Sequence, residues 1–169
     1  MNLDTENLYE FLQMLKVAVS KNANETKIEE SEEGYSLLCT VNSPFGTGGE
    51  TGYRISMIPD DGTVMTEISL YLFTEVDSGM FAGLDRLMNE INSRISIGSW
   101  RLYDDTGTVT FAHGMLLGET VDEQTALLMT GKTLAVMEDI TLSTGRYIIE
   151  YLTGGELENI IKAVGRTGE

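Results

Sequence analysis

The sequence contains one cysteine, one histidine and two prolines. The single cysteine, Cys39, excludes an intramolecular disulfide and any zinc or redox site built from paired cysteines. The single histidine, His113, excludes a metal site with several histidine ligands. No apolar run approaches the roughly 20 residues that cross a bilayer, and the first residues lack the apolar core of a signal peptide. These absences predict a cytoplasmic protein.

Basic residues are also scarce. There are 11 Lys and Arg residues against 27 Asp and Glu residues, which gives a formal net charge of −16. Such a surface repels nucleic-acid phosphates and the anionic inner leaflet of a membrane. We therefore expect the partner to be another protein, with a basic or extended segment, and expect neither nucleic acid nor membrane.

Short motifs that mimic chemical sites have structural explanations. The Asp60-Asp61 and Asp104-Asp105 pairs each stand close to a glycine in a predicted hairpin turn, which explains them without a metal. The tripeptide at residues 131–133 resembles the end of a phosphate-binding loop, but it lacks the earlier glycine and lies inside a predicted helix. The sequence thus predicts no catalytic, cofactor-binding or metal-ligating residue, and the protein is expected not to be an enzyme.

A catalytic pair of Cys39 and His113 is conceivable, but nothing in the sequence supplies thiolate activation. Cys39 shares one face of a predicted strand with the apolar residues Leu37 and Val41, which favours a buried, inert thiol. A lone histidine in a strand is more often a packing residue than a catalyst.

Apolar spacing predicts an α+β chain. Periods of three and four indicate helices, and periods of two indicate strands. The stretch Glu29–Glu33 is interpreted as a solvated turn and Gly114–Gly118 as a connection. A capping box is predicted from Thr120 to Glu123. The predicted order is α-β-β-β-α-β-β-α, with a helix break near 141–145 and extra C-terminal helices. We expect an antiparallel five-stranded sheet with helices on one face.

The region around the second helix resembles a known family. It contains LMNEIN at 87–92, GSWRLYDD at 98–105 and GTVTF at 107–111. These segments are similar to the YbjN family, a group of putative sensory transduction regulators. The resemblance implies the fold of type III secretion chaperones, which are small, acidic, usually dimeric proteins that bind extended segments of partners. No linker divides the chain, which predicts one domain over 1–169. The chaperone-like core is expected to extend to about 140, and the helical extension over 141–169 exceeds a minimal chaperone.

The expected function is a non-enzymatic protein-binding module, chaperone-like or regulatory. Either an exposed sheet edge or an apolar strip between sheet and helix could receive a peptide. A homodimer is also expected, because single-sided helices and an edge strand need cover. Two alternatives stay open, a purely structural subunit and a small-ligand protein or enzyme with a lid at Pro44–Gly52. Large side chains on predicted strands are the candidate contacts, namely Tyr53, Tyr71, Phe73, Trp100 and Tyr103.

Overall fold

A computed structural model describes residues 7–45, 50–118 and 120–166, and the prediction of an α+β chain is confirmed for them. Their six strands form one antiparallel sheet in the order β1-β2-β3-β4-β6-β5. The strands are β1 (Glu25–Glu30), β2 (Tyr35–Asn42), β3 (Glu50–Asp60), β4 (Thr63–Phe73), β5 (Ser99–Tyr103) and β6 (Thr108–Gly118). The helices are α1 (Leu8–Val19), α2 (Phe81–Asn92), α3 (Glu123–Leu152) and α4 (Leu157–Arg166), and a 3₁₀ turn at Ser78–Met80 precedes α2.

The predicted count of five strands is wrong because β1 was missed. Glu29 and Glu30 lie in this strand, not in a turn, and pair with Ser36 and Tyr35. Only Ile28 in β1 is a large apolar residue, and it packs against the core opposite Leu37. Charged residues in an edge strand discourage pairing with other chains, and the same charges hid the strand from a search for apolar alternation.

The segment Gly114–Gly118 is also a strand and not a connection. It extends β6, and its residues pair with β4 from Glu67 back to Thr63. Neither Gly114 nor Gly118 has another atom within 4 Å of an added Cβ, so neither glycine is required by close packing. Hydrogen bonding to a long neighbouring strand overrides the low strand preference of glycine.

Helix α3 corrects two further predictions. It begins after Asp122, whose carboxylate accepts a 3.0 Å hydrogen bond from the Thr125 amide, so the capping box at Thr120 is wrong. It then runs without the predicted break through Thr141 and Gly145, both of which are buried. Among the described residues, no helix is both long and apolar enough to cross a membrane.

Helices α1, α2 and α3 pack on one face of the sheet, and α4 packs against α2 and α3. Leu8, Phe11, Leu12 and Leu15 of α1 form a fully buried stripe, as their spacing predicts. The core lies between this helical layer and inward side chains such as Ile55 of β3. We call the opposite face, which no described helix covers, the open face; its strand positions include Lys27, Arg54, Met65, Glu67, Arg101 and Leu116.

Candidate functional site

The five aromatic residues predicted to contact a partner do not form one patch. Tyr53 of β3 and Trp100 of β5 point into the helix-covered side and are 6% and 2% exposed. Tyr71 of β4 and Tyr103 of β5 lie on the open face and are exposed. Phe73 is half-buried at the end of β4. Only the open-face tyrosines are accessible to a partner, so the five residues do not mark one binding surface.

Trp100 organises one end of the core. Its ring packs on Phe111 at a centroid distance of 5.3 Å, and its indole N–H donates to the Thr144 hydroxyl at 2.9 Å. The Asn92 side chain at the end of α2 holds the Trp100 backbone in turn. Its Oδ1 accepts from the Trp100 amide at 2.8 Å, and its Nδ2 donates to the Trp100 carbonyl at 3.0 Å. Asn92 therefore occupies the backbone N–H and C=O of Trp100, which an added strand would use at the β5 edge.

The other sheet edge, β1, presents charged side chains. Lys27 and Glu29 form a 2.9 Å ion pair there, and Arg54 of β3 lies 3.5 Å from the other oxygen of Glu29. Charges of this kind disfavour the docking of an extra strand. Neither edge is thus an open template for a peptide, and the apolar strip between sheet and helix becomes the better candidate.

Such a strip exists as a groove of about 230 Å³ between α1 and α3. It forms because small residues face each other across it, Ala18 on α1 and Gly131 and Ala135 on α3. Its floor is made by Val41 of β2 and Tyr53 of β3. The groove is therefore open because its walls lack the side chains that would fill it.

The groove is long enough for a peptide. Its α3 wall extends from Leu127 to Glu138, which is about 17 Å at 1.5 Å per residue. That length matches about three turns of a helix or five residues of extended chain. Beyond Glu138 and Asn22 it continues into a second cavity of about 220 Å³ that reaches Leu142. Leu128, which is 56% exposed, lies one turn before Gly131 and extends the apolar rim.

One carboxylate, that of Glu138, lines the groove. Partial desolvation by the groove walls raises the pKa of its carboxyl group, and repulsion from Asp139 adds to the rise. No Lys or Arg among the described residues forms an ion pair with it. Glu138 is therefore an exposed carboxylate on the wall of an apolar groove, to which a partner could bring a cation.

Tyr53 on the floor of the groove and its cross-strand neighbour Cys39 are chemically quiet. Burial raises the pKa of the Cys39 thiol, so the thiol stays protonated at neutral pH. Burial also raises the pKa of the neighbouring Tyr53 phenol, and Cys39 and Glu138 add to that effect. Neither group is an activated nucleophile or base in this state.

Cys39 and His113 are not brought together. Two strands, β3 and β4, separate β2 from β6, which places the residues at least about 14 Å apart at 4.8 Å per strand. His113 instead accepts a 3.2 Å hydrogen bond from the Gly98 amide. Within the described ranges, no three His, Cys, Asp or Glu side chains converge as metal ligands would.

The glycine-rich loop predicted as a lid lies partly outside the described residues, at 46–49. Phe45 just before it stacks on Phe73 at 5.5 Å and meets α3 at Gly145. This contact ties the described start of the loop to the end of the sheet. The lid hypothesis itself stays a prediction.

Three residues of the site escaped the sequence analysis, namely Gly131, Glu138 and Asn92. The sequence singles out Gly131 only through its resemblance to the end of a phosphate-binding loop. A glycine inside an apolar helix is itself a signal that another element approaches the helix closely or that space is left open beside it. Glu138 looks like an ordinary surface charge until the groove around it is known. Asn92 lies within the segment that carries the family resemblance.

No family model matches the chain, and no curated protein sequence is significantly similar to it. The resemblance to the YbjN family therefore stays a prediction.

Proposed function

We propose that the chain is a non-enzymatic protein-binding module, chaperone-like or regulatory, whose groove between α1 and α3 binds an apolar segment of another protein that carries Lys or Arg. We also propose kinship with the YbjN family and its type III secretion chaperone-like fold. The observation that carries the binding proposal is the groove, with its apolar floor and its single carboxylate, Glu138. Apolar side chains of the segment would provide most of the affinity.

The charge of the partner follows from electrostatics. The net charge of −16 raises the local concentration of cationic segments near the surface and speeds their encounter. At the groove, a Lys or Arg would pair with Glu138 in a partly desolvated setting. Salt screens such attraction, so binding should weaken as the salt concentration rises.

A random-peptide display library selected against the immobilised chain tests the proposal. We expect the enriched peptides to combine large apolar residues with Lys or Arg. The counter-target is Gly131→Leu, because an added Cβ at Gly131 meets no atom within 4 Å and Gly131 lines the groove, so a leucine there would occupy groove space. Enriched peptides should not bind this variant.

Two outcomes would contradict the proposal. One is enrichment of acidic or purely polar peptides. The other is a set of enriched peptides that bind Gly131→Leu as well as the parent chain. Thermal unfolding of both proteins checks that the variant is folded.

A further inference from the structure

The open face has an unusual charge for this chain. Three of the 11 Lys and Arg residues but only five of the 27 Asp and Glu residues lie at its strand positions, so it carries a net charge of −2 where the chain carries −16. The remaining surface therefore carries nearly all of the excess negative charge. A second copy of this chain therefore meets the least electrostatic repulsion at the open face.

The three cations on the open face are already paired with carboxylates of the same chain. Arg101 of β5 and Glu67 of β4 form a 3.3 Å ion pair across β6, and the other Glu67 oxygen accepts from Ser69 at 3.0 Å. Lys27, Glu29 and Arg54 form a second cluster across β1 to β3. At these two clusters a strongly cationic partner gains little, because Glu29 and Glu67 each have a cation beside them.

An apolar row lies beside these clusters. Ile58 of β3, Met65 of β4 and Leu116 of β6 are direct cross-strand neighbours. Leu116 is 68% and Met65 46% exposed. Leaving such side chains in water is unfavourable by about 25 cal/mol for each Å² of apolar surface that burial would remove.

The size of the face fits a dimer. Six strands spaced by about 4.8 Å, with lengths near eight residues, give on the order of 700 Å². A standard stable interface buries about 800 Å² on each partner. Two such sheets can pack face to face about 10 Å apart.

We infer that the open face binds the open face of a second copy of this chain, with Leu116, Met65 and Ile58 at the centre of a two-fold interface and the ion-pair clusters around it. This inference does not depend on the proposed function, because the groove lies on the other side of the sheet. A two-fold interface uses the same patch on both copies, and a near-neutral patch of mixed sign suits that symmetry.

The mass of the full chain in solution, followed by sedimentation equilibrium over a range of concentrations, tests the inference. We expect twice the chain mass of 18.6 kDa. We also expect roughly tenfold tighter association at high than at low salt, because salt screens the repulsion between two acidic bodies. A monomer at all concentrations and both salt levels would overturn the inference.

Two pairs of variants locate the interface. Leu116→Glu should weaken the dimer at least about a hundredfold, whereas Leu128→Glu, the same change at an exposed leucine of α3, should leave it intact. Gly114→Trp adds a large side chain to the open face at a position where an added Cβ meets no atom within 4 Å, and Gly114→Ala is its small control. A dimer that survives both Leu116→Glu and Gly114→Trp, or that dissociates in Leu128→Glu, would contradict the open-face assignment. Circular dichroism confirms that each variant is folded.

Discussion

At the scale of single residues, the Asn92 amide has the most specific structural role. It completes the hydrogen bonds of an edge-strand backbone, which otherwise would need water or another chain. This explains why a helix end and the start of a strand occur so close in sequence. The sequence analysis noted the asparagine only through a resemblance and could not assign this role.

Replacement of Asn92 by alanine should lower the free energy of unfolding by about 2 kcal/mol, because two partly buried backbone groups of Trp100 lose their partner. Urea denaturation measures the change. Asn89→Ala, at an exposed position of the same helix, is the control and should have little effect. If the two substitutions lower the free energy of unfolding equally, the structural role assigned to Asn92 is contradicted.

Glu138→Gln tests the electrostatics of the groove. The pKa of Glu138 is raised in the folded chain, so between its ordinary and its raised value the folded state binds more protons than the unfolded state. Its contribution to stability therefore decreases as the pH rises through that window. The glutamine variant should be more stable than the parent at neutral pH, by less than about 1 kcal/mol because the side chain is partly solvated.

The difference between Glu138→Gln and the parent should vanish below the ordinary glutamate pKa. Thermal unfolding over a pH series measures it. A variant that is less stable than the parent at neutral pH would show that the carboxylate has a stabilising partner. In the same variant, affinity for a cationic segment should fall by up to about 1 kcal/mol.

At the scale of secondary-structure elements, α3 shows where local sequence preference fails. The segment from Thr141 to Gly145 has weak helix preference, and the sequence therefore predicts a break. In the fold, Thr144 accepts from the Trp100 indole and donates to the Ile140 carbonyl at 2.7 Å, and Gly145 admits the Phe45 ring. Packing requires the small and β-branched residues that local preference disfavours. The elements α1, β2 and β4 are strongly periodic in sequence, so they could be predicted without knowledge of the tertiary packing.

Two glycines of α3 should respond oppositely to alanine. Gly131→Ala should raise the free energy of unfolding by up to about 1 kcal/mol, because the position is open and alanine favours helix. Gly145→Ala should lower it by on the order of 1 kcal/mol, since a Cβ there would lie 2.5 Å from Phe45 and 3.3 Å from Trp100. Denaturant unfolding of both variants measures this contrast. Stabilisation by both would mean that α3 does not approach Phe45 as closely as described.

At the scale of the whole molecule, the two faces of the sheet have different electrostatic characters. The open face is nearly neutral, whereas the rest of the described surface carries most of the negative charge. Composition alone predicts an acidic protein that favours basic partners. It does not predict that the charge is unevenly distributed, because this depends on the register that places Lys27, Arg54 and Arg101 on one face.

The candidate site was only partly predictable for the same reason. The sequence predicts either an exposed sheet edge or an apolar strip between sheet and helix as the binding surface, and Tyr53 lies at the floor of a groove of the second kind. The other four aromatic candidates lie elsewhere, because large strand residues fill both the core and the open face. Empty space between helices has no sequence signal beyond small residues such as Gly131 and Ala135.

The central claim, that the groove between α1 and α3 is the binding surface, is tested most directly by the affinity of one enriched peptide for three proteins. Fluorescence anisotropy titrations would compare the parent chain with Gly131→Ala and Gly131→Leu. We predict that Gly131→Ala binds within about twofold of the parent, while Gly131→Leu loses at least about tenfold, or 1.4 kcal/mol. Equal affinity of all three proteins would show that the peptide binds elsewhere and would contradict the claim.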